Sequence, residues 1–135
     1  NILAIGAPTY DEAVSSGYVK VYHLQDDDWK QMGNDMKATT DTGYFGQSIS
    51  LSEDGKTVAV GDYYTNENGA DVPSVSIYQF DDFSSIWIQR GKINGDTSDQ
   101  FGYAVSLSAD GNMVAIGVPD SRDGRGNVRV FKNDV

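Results

Sequence analysis

The sequence predicts an all-β fold, a segment of a β-propeller built from four-stranded antiparallel blades. Three observations carry this reading: a repeat of about 56 residues, apolar residues alternating with period two inside each repeat, and turn-forming pairs between the alternating runs. The stretch "FGQSISLSEDGKTVAVGD" from Phe45 returns as "FGYAVSLSADGNMVAIGV" from Phe101, an offset of 101 − 45 = 56. The opening "NILAIGAP" matches the second half of that unit, with Gly6, Gly61 and Gly117 falling 55 and then 56 residues apart.

Each unit holds four short segments, and each reads as a strand. In the first, Ile49 and Leu51 alternate with Ser48, Ser50 and Ser52, the period of a pleated strand with one apolar face. The second is the short apolar run from Thr57 to Gly61. In the third, Val75 and Ile77 alternate with Ser76 and Tyr78, and Val19 with Val21 or Val128 with Val130 keep the same phase. The fourth carries Trp87, Gln89 and Gly91, answered by "WKQMG" from Trp29. Between the first and second segments stands Asp54-Gly55 or Asp110-Gly111, a strong signal for a tight hairpin. No amphipathic helix of three turns occurs.

Four antiparallel strands in a meander form one propeller blade. A lone blade has two apolar faces and cannot cover both, so blades stack face to face. In strand slots the chain divides into a partial blade over 1–44 (slots two to four), a complete blade over 45–100, and a partial blade over 101–135 (slots one to three). Even a four-bladed ring needs about 224 residues at this repeat length. The 135 residues are therefore expected to be a segment of a larger propeller, with its remaining blades as the first partners.

Charge and composition exclude several functions. Twenty acidic residues against ten basic ones give a formal charge of −10, which repels a phosphate backbone, so no nucleic-acid partner is expected. No apolar run is long enough to enter and span a bilayer. With no cysteine there is no disulfide, thiolate metal site or cysteine nucleophile. The glycines at 43, 46, 55, 61, 102, 111 and 117 are turn and bulge positions rather than a phosphate cradle, because no helix follows them.

The pattern resembles the FG-GAP repeats of integrin alpha-subunit propellers and their microbial and algal relatives. Phe45-Gly46 with "SISLS", Phe101-Gly102 with "AVSLS", the "AIGAP" of Ala4 to Pro8 and the "AIGVP" of Ala115 to Pro119 carry the resemblance over essentially the whole chain. It implies a propeller that is extracellular or at the cell surface and acts in adhesion, assembly or recognition. In integrin-type repeats the hairpin between the first two strands is often a calcium loop of the D-x-D-x-D-G kind. Here "SEDGK" and "SADGN" lack that spacing, so the chain is similar to the calcium-free variant and no cofactor is expected.

A meander sends the two–three and four–one connections to one end of a blade, and the units differ most there. Loops on a rigid scaffold concentrate binding residues. The candidates at this end are Tyr10, Asp11, Tyr63, Tyr64, Asn66, Asn68, Asp120, Arg122 and Arg125. Tyrosines beside Asn and Asp suit a sugar or a protein partner, and they equally suit contact with the neighbouring blade. Asn66, Asn68 and Asp71 echo part of a calcium loop, but Tyr64 occupies its first ligand position. Asp26-Asp27-Asp28 and Asp81-Asp82 fall in three–four turns at the opposite end and read as solvated turns.

Catalysis finds no matching constellation. His23 is the only histidine and lies within a strand, and the pair Asp96 and Asp99 is explained by turn chemistry. The expected function is therefore non-catalytic binding of a protein or glycan. The alternatives are a polysaccharide-acting propeller enzyme whose active site lies in other blades, and a self-assembling subunit of a filament or sheath.

Overall fold

The structure, a computed structural model, describes residues 1–8, 17–38, 44–63, 72–97, 99–119 and 124–132. Their regular structure is strand only: β1 (Ile2–Ala7), β2 (Tyr18–Gln25), β3 (Asp28–Gln31), β4 (Met36–Lys37), β5 (Ser48–Leu51), β6 (Thr57–Asp62), β7 (Ser74–Asp81), β8 (Ile86–Asn94), β9 (Ala104–Leu107), β10 (Met113–Val118) and β11 (Asn127–Lys132). The chain is all-β, as the period-two alternation predicts. Three antiparallel sheets form in chain order: β1-β2-β3 with β4 also on β2, then β5-β6-β7-β8, then β9-β10-β11. No barrel or ring closes among the described residues.

In the first sheet the fourth segment is broken into β3 and β4, where Gly33 takes a φ of 77° that few other residues tolerate. In the middle sheet the corresponding β8 is continuous and absorbs the irregularity as a bulge opposite Ile77 and Tyr78.

The turns differ from the simple hairpin reading. Asp54-Gly55 is not a two-residue turn but the centre of a loop from Ser52 to Lys56, in which Ser52 Oγ accepts from Thr57 N at 3.0 Å and donates to Asp54 Oδ1 at 2.6 Å. Asp54 Oδ1 also accepts from Lys56 N at 2.9 Å. Ser108, Asp110 and Asn112 repeat this arrangement. The two-residue turn is Asp26-Asp27 instead, between the paired Gln25 and Asp28. Both residues have positive φ, 53° and 65°, a geometry that short Asp side chains accept better than most. The acidic run is thus turn chemistry.

The pairs β1–β2, β6–β7 and β10–β11 share one register. Gly6 pairs with Val19, Gly61 with Val75 and Gly117 with Val128. Each sheet therefore has two unlike faces. One is shallow: Ala59 and Gly61 beside Val75 and Ile77 in the middle sheet. The other is bulky: Val58 and Val60 beside Tyr78. The shallow face of the first sheet, with Val19 and Val21, meets the bulky face of the middle sheet in one apolar core. The shallow face of the middle sheet meets Val114, Ile116, Val118 and Phe131 of the third in another. Burying each such valine contributes about 1.5–2 kcal/mol, upper-bound values for an extended unfolded chain.

Close approach of backbones lets these faces meet. The Phe45-Gly46 corner leading into β5 lies on the first sheet, and Phe101-Gly102 leading into β9 lies on the middle sheet. A Cβ on Gly6 would collide with the carbonyl oxygen of Gly46, and one on Gly61 with that of Gly102. The corner glycines have φ of 91° and 87°, so this path of the chain requires glycine on both sides of the contact. Polar bonds add register between sheets: Ser48 Oγ donates to Gly102 O at 2.6 Å, Leu107 N donates to Ser50 Oγ at 2.9 Å, and Trp87 Nε1 donates to Met32 O at 2.7 Å.

Substitution Gly61→Ala is expected to cost about 2–4 kcal/mol, because the middle and third sheets must separate to admit the methyl group. Gly91→Ala, where a Cβ has no atom within 4 Å, is expected to be neutral within about 0.5 kcal/mol. Urea unfolding of the two variants beside the parent chain measures the contrast.

Candidate functional site

The strands place the connections at two unlike rims. At one rim lie the compact turns at 52–56, 26–27, 82–85 and 108–112. At the other emerge the longer connections β1–β2, β6–β7 and β10–β11, together with the segments leading into β5 and β9.

Three tyrosines form a row there. Tyr63 follows β6 directly. Its ring stacks on Tyr44, with centroids 5.1 Å apart and planes at 22°, and meets Tyr103 at 5.2 Å and 60°. Tyr44 precedes the Phe45-Gly46 corner and Tyr103 follows the Phe101-Gly102 corner, so the row runs from the middle sheet to the third. Tyr103 is the outward member, 51% exposed.

Of the candidates named from sequence, Tyr63 and Arg125 are described. Tyr63 lies in this row, and Arg125 is exposed just ahead of β11 at the same rim. Tyr10, Asp11, Tyr64, Asn66, Asn68, Asp71, Asp120 and Arg122 lie outside the described residues. Sequence reasoning missed Tyr44 and Tyr103. The available signal was their position, immediately flanking the repeated Phe-Gly corner.

A second cluster joins the β8–β9 connection to β11. Arg129 Nη2 bonds Asp99 Oδ2 at 2.9 Å and lies 3.5 Å from Asp96 Oδ2, with its guanidinium carbon 5.6 Å from the Phe101 ring centre. Asp99 is 3% exposed. The two aspartates thus share one arginine that lies over an aromatic ring, and the cluster ties the β8–β9 connection to β11. His23 sits half-buried in β2 opposite Ile2.

Between the first and middle sheets, Asp62, Ser74, Ser76 and Tyr78 line a narrow polar crevice with Lys37 and Lys92 at its edge. Its free volume of about 10 Å³ suits a single water molecule. Burial pushes the Tyr78 hydroxyl up to about 12, so it stays neutral there.

The carboxylates of the compact rim are engaged by their own turns. Asp54 is held below its ordinary value of 3.8 by hydrogen bonds from the Ser52 hydroxyl and then the Lys56 amide. The Ser108 hydroxyl and then Asn112 do the same for Asp110. The Ser84 hydroxyl and amide hold Asp81 low. Among the described residues no three His, Asp or Glu side chains gather as a metal-binding group.

No protein-family model matches the chain, and no curated protein matches it.

Two outcomes follow from these contacts. Removing the guanidinium with Arg129→Ala strands a buried carboxylate and is expected to cost about 2–3 kcal/mol, and adding Asp99→Asn recovers part of that loss because the amide carries no charge. A denaturation cycle over the two single variants and the pair measures the coupling. The lowered carboxyl groups at 54, 81 and 110 also contribute to the acid limb. Their contribution is full above the ordinary value of 3.8 and is lost as pH falls through the lower folded values. The double variant Asp54→Asn/Asp110→Asn is expected to show a smaller fall in urea midpoint between pH 5 and pH 3 than the parent chain.

Proposed function

We propose that the three sheets are consecutive blades of a β-propeller of the FG-GAP-repeat kind. The chain serves as a non-catalytic recognition segment at the cell surface or outside the cell, binding a protein or glycan at the rim of long connections. The tyrosine row of Tyr44, Tyr63 and Tyr103 carries this reading. It sets aromatic surface where the middle and third sheets meet, beside the connections in which the repeats differ most. Exposed tyrosine offers a flat apolar ring with a polar tip and little conformational entropy to lose, which suits pyranose faces and protein anchors alike. At the compact rim, the carboxylates of Asp54, Asp81 and Asp110 are taken up in closing their own turns. The propeller reading draws support from the repeated Phe-Gly corner and from the face-to-face meeting of sheets that share one register.

A glycan array and a pull-down from extracellular fluid with the 135-residue chain test the proposal. Binding to a defined ligand is expected, weakened about tenfold by Tyr103→Ala and unchanged by Phe83→Ala, which alters the fully exposed ring of the compact rim. Ligand binding that survives Tyr103→Ala but is lost in Phe83→Ala would place recognition at the other rim and overturn the reading.

A further inference from the structure

We infer that Tyr44 and Tyr63 form an oxidative cross-linking site, at which hydrogen peroxide and a haem peroxidase join the two rings by a carbon–carbon bond within one chain. The inference rests on ring geometry at one end of the middle sheet and is independent of what the tyrosine rim binds.

The strand pairing that opens the middle sheet brings the two residues together. Gly46 N donates to Gly61 O at 3.1 Å and Ser48 pairs with Gly61, which sets the segment ahead of β5 beside the end of β6. Gln47 N donates to Tyr44 O at 3.0 Å, and this turn holds Tyr44 at the corner. The Tyr44 and Tyr63 rings then stack at 5.1 Å with planes 22° apart, inside the range of roughly 4.5–7 Å for aromatic rings in contact. Both residues are partly exposed, so a small oxidant reaches them. Tyr103 touches Tyr63 at 5.2 Å, but its plane is tilted by 60° and its ring is not laid alongside. It extends the contact through which an unpaired electron reaches Tyr63. Other tyrosines have other neighbours: Tyr78 is buried against Phe45, and Tyr18 lies under the Lys20 ammonium.

The chemistry balances with peroxide as the sole oxidant. Each phenol gives up one electron and its hydroxyl proton and becomes a phenoxyl radical. The two radicals join through the ring carbons next to the hydroxyls. The hydrogen on each joined carbon then moves to the phenolic oxygen, which restores both hydroxyls. The pair loses two hydrogens overall, and these reduce one hydrogen peroxide to two waters. Rings already held in contact couple as a unimolecular step, whereas coupling between chains requires an encounter of two molecules that each carry a charge of −10.

The bond would tie the segment leading into β5 to the start of the β6–β7 connection, and so fix two rings of the rim as one flat unit. With no cysteine in the chain, a covalent tie of this kind falls to tyrosine.

Peptide mass analysis of the dilute 135-residue chain after treatment with a haem peroxidase and hydrogen peroxide provides the test. Trypsin cuts after Lys37, Lys56 and Arg90, so Tyr44 is released in 38–56 and Tyr63 in 57–90. These two peptides are expected joined, at their summed mass less two hydrogens, in protein that still runs as a monomer. The yield per chain is expected to stay constant when the protein is diluted about tenfold, as an intramolecular step requires. Tyr44→Phe and Tyr63→Phe keep the ring but remove the oxidisable hydroxyl, so each is expected to abolish the joined peptide with the parent's far-ultraviolet circular dichroism retained. Tyr64→Phe, which alters the other tyrosine of that connection, is expected to leave the yield unchanged. Oxidation of Met113, which is 52% exposed, reports that the oxidant has acted. The inference is overturned if Met113 is oxidised and no joined peptide forms, or if the product survives Tyr63→Phe. A bond made chiefly to 93–122, the peptide that carries Tyr103, overturns it as well.

Discussion

The close approach of sheet backbones at Gly6 and Gly61 governs the rest of the structure. Each glycine gives the next sheet's Phe-Gly corner room to lay a peptide group directly on the sheet surface. The corner can do so because Gly46 and Gly102 adopt positive φ. With that contact in place, Val19 and Val21 reach Val58 and Val60, and Val75 and Ile77 reach Val114 and Ile116. A methyl group at either site would hold the faces apart along their whole length, since close-packed interiors transmit such strain.

Unlike faces follow from the same contact. A sheet that receives a corner must be shallow where the corner lands, and the sheet that supplies it brings bulky residues on its own facing side. The direction of stacking is therefore written into every unit. Polar bonds such as Ser48 to Gly102 and Trp87 to Met32 sharpen the alignment at modest net gain each.

Much of this is legible in the sequence. The 56-residue repeat, the Ser/Ile alternation of β5 and the Val-x-Val phase of β2, β7 and β11 identify the strands, because period two reflects which side chains face a core. The turns are less legible. Asp54-Gly55 has the composition of a two-residue hairpin, but Ser52 competes for the Asp54 carboxylate and draws the chain into a longer loop. The two-residue turn falls instead on Asp26-Asp27, where pairing on both sides leaves no room for more residues. Tertiary meetings are the least legible. Tyr44, Tyr63 and Tyr103 are far apart in the chain, and Arg129 is thirty residues from Asp99. Strand pairing brings Tyr44 to Tyr63, and the meeting of the middle and third sheets adds Tyr103, so no local pattern announces the row.

The two rims of the stacked sheets also differ in their connections. Tight turns close one end of every sheet and engage the carboxylates of Asp54, Asp81 and Asp110, while longer connections and the rings of Tyr44, Tyr63 and Tyr103 stand at the other end. Native-state hydrogen exchange in dilute solution tests the stacked arrangement most directly. If the middle sheet is held by both neighbours, the amides of β6 and β7 from Val58 to Val60 and from Val75 to Ile77 exchange slowest, through global unfolding alone, while β1 and β11 open first. Equal protection across the three sheets, or faster exchange in β6 and β7 than in β1 and β11, would contradict it.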